Sequence, residues 1–125
     1  MKPGDAFLLD LAAVGKHLAI IVSDPELDEI GIVLVHITSW AKHREQTCVL
    51  GPGDHAFITH ESCVLYSETR VIEKARLGSM VRSGALKPMG AVTFAALTRI
   101  WDGAAKSTLI PLGAKAILDD QGLLS

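Results

Sequence analysis

Apolar positions along the chain fall into short blocks separated by turn residues, and the blocks change character near the C-terminal end. Pro3-Gly4-Asp5 is a turn signal, and Ala6 to Leu11 behind it reads as a short strand. Ala12 to Gly15 reads as a loop. Leu18 to Ser23 is apolar and β-branched, which predicts a buried strand, ended by Asp24-Pro25-Glu26 because proline lacks a ladder donor. Gly31 to Thr38 is the clearest strand. Trp40 to Gln46 is a polar loop, Thr47 to Leu50 a fourth strand, and His55 to Glu61 a structured loop without periodicity. Ser62 to Tyr66 and Arg70 to Glu73 complete a set of about six short strands. Beyond them Val92, Ala96, Ile100 and Ala104 recur every four residues beside Leu97 and Trp101, the mark of an amphipathic helix. Pro88 suits the first turn of that helix. Ile110-Pro111 breaks it, and Leu112 to Asp119 forms a second short helix. The fold class expected is mainly β with a C-terminal α part: one domain over residues 1–125, with a strand-rich barrel over 1–86 and a helical region over 87–125.

Composition narrows the class further. The 125 residues are 49% hydrophobic and 21% charged, which is globular rather than disordered. No run of about 18 apolar residues marks a membrane span. The N-terminus does not read as a secretory signal, so a cytoplasmic location and no membrane partner are expected. The net charge of −2 gives no global nucleic-acid footprint, so any RNA contact needs a local basic patch, for which Lys16-His17 and Lys42-His43-Arg44 are the candidates. Cys48 and Cys63 lie 15 residues apart without metal-ligand spacing and read as small core residues.

The ordered motifs carry a resemblance. Gly4-Asp5 precedes the first strand and a glycine-bearing loop follows it. One apolar strand ends near Ser23-Asp24 and the next in Ile37-Thr38-Ser39. Val64-Leu65-Tyr66, Arg70-Val71-Ile72, Arg76-Leu77 and a C-terminal helix come after them in order. Over roughly Lys2 to Trp101 the chain resembles the PemK/MazF family, the toxin halves of type II toxin–antitoxin pairs. The resemblance implies an SH3-like twisted barrel closed by a helix, and a homodimer that cleaves single-stranded RNA without a metal or other cofactor. It also implies an antitoxin peptide that blocks the RNA groove. CcdB toxins share that fold but poison gyrase, so the resemblance leaves a topoisomerase poison open, and also a catalytically silent module that binds a peptide or protein.

Metal-free RNA cleavage needs a base for the 2′-hydroxyl, a cation for the phosphate and an acid for the leaving oxygen. The family's threonine position matches Thr38, and its arginine position falls on Lys16, which keeps the charge but not the planar fork. His17 beside it supplies acid–base capacity. Two further family positions, an arginine and an aspartate, fall on Leu65 and Ser67, which cannot do that chemistry. Lys16, His17 and Thr38 are therefore the candidate catalytic residues. Ser39, Trp40, His55, His60 and Tyr66 are the candidate substrate-binding residues. For His55 and His60 the alternative is hydrogen bonding that pins an irregular loop. For Trp40 it is a dimer contact, and for Tyr66 a core-edge position. His36 reads as a core or barrel-rim residue and His43 as solvated. Asp54 and His60 lack a third partner for a metal, and Ser39 and Ser62 have no triad.

Overall fold

The computed structural model describes residues 1–11 and 15–124. Six strands, β1 (Asp5–Leu11), β2 (Gly15–Ile21), β3 (Ile32–Ser39), β4 (Val49–Leu50), β5 (Ser62–Ile72) and β6 (Leu86–Ala91), form one antiparallel sheet in the order β4-β5-β3-β2-β1-β6. Helix α1 (Lys74–Arg82) lies between β5 and β6, and α2 (Phe94–Lys106) and α3 (Leu112–Asp120) follow. The chain is thus a mixed α+β fold.

Both faces of the central strands are buried, which is why they read as continuous apolar runs. On one face Leu18, Ile20 and Val22 from the β2 segment join Val33, Val35 and Ile37 of β3 and Val64 and Tyr66 of β5. They pack against Ala96, Leu97, Ile100 and Ala104 of α2 and Ala114 and Leu118 of α3. On the other face Phe7, Ala19, Ile21, Ile32 and Leu34 are covered by Leu77 of α1 and Leu86 of β6. The alternation of strand side chains sorts odd and even positions into these two cores.

The sheet curls, and its two edges are joined by a loop instead of a ladder. Residues 51–61, between β4 and β5, reach across to β6 and the β6–α2 connection: His55 Nε2 bonds Met89 O of β6 at 2.9 Å, and Thr93 N donates to Asp54 O at 3.0 Å. Arg99 of α2 pairs with Asp54 and donates to Val49 O at 3.2 Å. Thr93 caps α2 by accepting from Ala96 N at 3.1 Å, and α2 and α3 lie where the apolar period and Ile110-Pro111 predict.

Several expectations change. The two strands expected over 62–66 and 70–73 are one strand, β5, with a register shift opposite Leu34 and His36 of β3 that lets it bend. The fourth strand has two residues, not four. Pro88 does not open a helix: it sits in β6, an edge strand paired with β1 through Phe7, where the missing N–H is tolerated. Strand β6 therefore falls inside the region expected to be helical. Residues 74–82, which include Arg76-Leu77 and fall inside the region expected to be strand-rich, form α1. Of the loop expected over Ala12 to Gly15, residues 12–14 lie outside the described residues, and Gly15 already belongs to β2.

Candidate functional site

Strands β2 and β3 pair with Leu18 opposite Ile37, so Lys16-His17 at the start of β2 and Thr38-Ser39 at the end of β3 meet at one rim of the sheet. Ser39 in turn pairs with Ser62 at the start of β5. A cleft of about 470 Å³ opens at this rim, lined by Lys16, His17, Thr38, Ser39 and Ser62, with Arg44 from the β3–β4 loop and Phe57, Ile58 and His60 from the β4–β5 loop.

Arg44 is the centre of the polar network. Its Nη1 donates to Thr38 Oγ1 at 3.0 Å and to the Ser39 carbonyl. A guanidinium carries five N–H donors, so these two bonds orient the group and leave donors for an anion in the cleft. On the opposite side, Ser39 Oγ and His60 Nε2 are 2.8 Å apart, and Ser62 Oγ donates to His60 O at 3.0 Å. Phe57 is 38% exposed and offers an aromatic face to the same space.

Of the eight sequence-derived site residues, five line the cleft: Lys16, His17, Thr38, Ser39 and His60. Three do not. Trp40 follows Ser39 and is 41% exposed, held by its N–H to Glu61 O at 3.0 Å, but it stands outside the cleft lining. His55 is buried and accepts from Phe57 N at Nδ1 (2.9 Å). Its proton is therefore on Nε2, donated to Met89 O, so this histidine pins the loop and does not bind a ligand. Tyr66 is fully buried against α2, with its hydroxyl donating to Ile100 O at 2.7 Å, so no base can stack on it. Leu65 is half-buried and Ser67 exposed on β5, and neither lines the cleft.

Sequence reasoning missed two residues. Arg44 was visible only as part of a basic triplet, because a loop residue carries no periodicity to aim it. Phe57 had one usable signal, an aromatic set between His55 and the buried Ile58 in a segment with no periodic role.

Two further titratable groups near the rim, His36 and Cys63, are held neutral by burial. Burial, aided by the Arg70 charge and opposed by Glu68, lowers the His36 pKa, so this imidazole is neutral at neutral pH. Burial raises the Cys63 thiol, which lies 3.9 Å from Ser39 O on the wall behind the cleft. Asp54 is taken by Arg99 and by Gly51 N (2.8 Å), and among the described residues no three His, Cys, Asp or Glu side chains are grouped to hold a metal ion. Nor is any helix among them long and apolar enough to cross a membrane. Compared with known proteins, the chain matches no protein-family model and no curated protein.

Proposed function

We propose that the chain is an endoribonuclease of the PemK/MazF type, cleaving single-stranded RNA without a metal as the toxin half of a toxin–antitoxin pair. The observation that carries this reading is the Arg44–Thr38 contact inside a cleft that also holds two histidines and a lysine. The family resemblance leads one to expect an arginine beside the threonine, and the matched strand position holds Lys16. Arg44 brings a guanidinium to Thr38 from a different loop, so both the fork and the extra cation are present in one concavity.

The chemistry follows from the donors. One of His17 and His60 takes the proton from the ribose 2′-hydroxyl, whose oxygen attacks the phosphorus. The other protonates the departing 5′-oxygen as its bond to phosphorus breaks. The products are a 2′,3′-cyclic phosphate and a 5′-hydroxyl, and the two histidines end with their protons exchanged. Arg44 and Lys16 stabilise the charge that grows on the non-bridging oxygens. Phe57 stacks a neighbouring base. The curled sheet backed by α2 supports an SH3-like barrel, and the cytoplasmic homodimer and the antitoxin that fills the cleft belong to the same reading.

Incubation of the purified protein with varied single-stranded RNAs in chelator tests it. Cleavage to cyclic-phosphate ends is expected, with His17→Ala and His60→Ala each slowing it about 10²-fold or more. Arg44→Lys, which keeps the charge but loses the fork, slows it by about tenfold or more. Full-length RNA after prolonged incubation would overturn the reading and leave the silent binding module or the topoisomerase poison in its place.

A further inference from the structure

A second concavity of about 420 Å³ lies on the outer face of the sheet, beneath α1. It is apolar except for His36, Arg70 and Arg76. The strand register makes it the continuation of the cleft. Ala19 stands opposite His36, and both line the groove. One two-residue step along each strand, on the same face, come His17 and Thr38, which line the cleft. One step in the other direction Ile21 stands opposite Leu34, and Leu34 is paired with Arg70 of β5. Three successive rows of one sheet face therefore lead from the cleft into the groove, a path of about 13 Å at strand rise. His17 lies close enough to His36 for its charge to act on it across the first of these steps.

Each row presents something a nucleic-acid strand uses. The cleft has Lys16 and Arg44. The middle row is opened by the small Ala19, 1% exposed at the groove floor, so the His36 imidazole borders free space. The far end has two guanidiniums, and the ion pair of Arg70 among the described residues is with Glu68, at 3.8 Å with both side chains more than half exposed. So exposed a pair contributes little and yields to a phosphate. The apolar wall between the charges suits the faces of unpaired bases, and an arginine plane stacks on them as well. A net charge of −2 makes this one-sided clustering the more telling.

We infer that the groove beneath α1 is a second subsite for the same single-stranded RNA, in which Arg70 and Arg76 hold phosphates beyond the one in the cleft. This rests on the endoribonuclease reading of the cleft. It adds that the bound strand runs along the outer face of β2 and β3, toward α1.

Binding separates the two claims, because it can be read without cleavage. The probe is a fluorescent 2′-O-methyl oligonucleotide of about 12 residues, which spans both concavities and cannot be cut, titrated across a salt series. Arg70→Gln/Arg76→Gln is expected to bind about tenfold more weakly, with a salt slope lower by about 1.4, the loss of two phosphate contacts on a single strand. Glu68→Gln, which frees Arg70, is expected to bind more tightly. Cleavage of a dinucleotide that fills only the cleft is expected to stay at wild-type rate in the double variant. Wild-type affinity and salt slope in the double variant, with an unchanged thermal midpoint, would overturn the subsite while leaving the cleft reading intact. A wild-type protein that neither binds the oligonucleotide nor cuts the dinucleotide would overturn both.

Discussion

Tyr66 shows how far a single residue's setting can differ from its appearance in the chain. A lone tyrosine at the end of an apolar run suggests a half-exposed platform, yet Gly103 of α2 provides the vacancy into which its ring passes. A Cβ at position 103 would run into the Tyr66 hydroxyl and come within 3.0 Å of Cys48 Cβ. Gly103→Ala is therefore expected to destabilise the fold by about 2 kcal/mol, although alanine favours a helix interior by about 1 kcal/mol. A urea titration with unchanged slope and a lower midpoint would register this, and a gain in stability would refute the packing argument. The same pocket sets an alkaline limit. Burial pushes the Cys48 thiol up from 9.0 to about 11, and burial likewise raises the Tyr66 phenol. The unfolded chain thus releases the Cys48 proton while the folded one still holds it, so stability falls as pH rises from about 9 to 11. The fall is expected to be shallower in Cys48→Ala and shallower again in Cys48→Ala/Tyr66→Phe. Equal slopes in all three proteins would exclude this pair as its source.

At the scale of elements, legibility followed how much of each element's stability is local. β1, β2 and β3 were readable because strands buried on both faces leave an unbroken apolar run, and α2 because its four-residue recurrence faces one core. α1 was not: Leu77 is its one buried residue, Gly78 interrupts its middle, and its helix follows from its place over the second face rather than from its pattern. β6 was hidden by Pro88, because whether a proline marks an edge strand or a helix start depends on a partner strand over 80 residues away in sequence. β5 looked like two strands because its polar middle, Ser67 to Thr69, sits at the bend. The β4–β5 loop is the element on which curling depends, and His55 is its pin. His55→Ala removes the bonds to Met89 O and Phe57 N from a buried site and is expected to cost about 2 kcal/mol. A substrate-contact role would instead show as lost activity at unchanged thermal midpoint, so calorimetry beside an activity assay tells the two apart.

For the whole molecule, the candidate site was legible where strands carried it and, apart from His60, illegible where loops did. Lys16, His17, Thr38 and Ser39 sit at strand ends whose pairing brings them together, whereas Arg44 is aimed by contacts that no sequence pattern encodes. Those contacts run to the far side of the fold. Glu45, next to Arg44, accepts through Oε2 from Thr47 Oγ1 and from Ser107 Oγ at the C-terminal cap of α2, both at 2.7 Å. Its other oxygen is buried and finds no hydrogen-bond partner among the described residues. The carboxylate is thus a strap tying the Arg44 loop to α2. Ser107 also accepts from Leu109 N and Ile110 N, so Ser107→Ala alone mixes loss of the strap with loss of a helix-end turn. A double-mutant cycle of Glu45→Ala and Ser107→Ala isolates the strap, since the helix-end turn is lost whether or not Glu45 is present. The pair is expected to couple by about 1 kcal/mol in chemical unfolding, with each single variant weakening oligonucleotide binding although neither residue lines the cleft. Additive stabilities would mean that the Arg44 loop holds its place without α2, and that Arg44 is aimed by Thr38 and Ser39 alone.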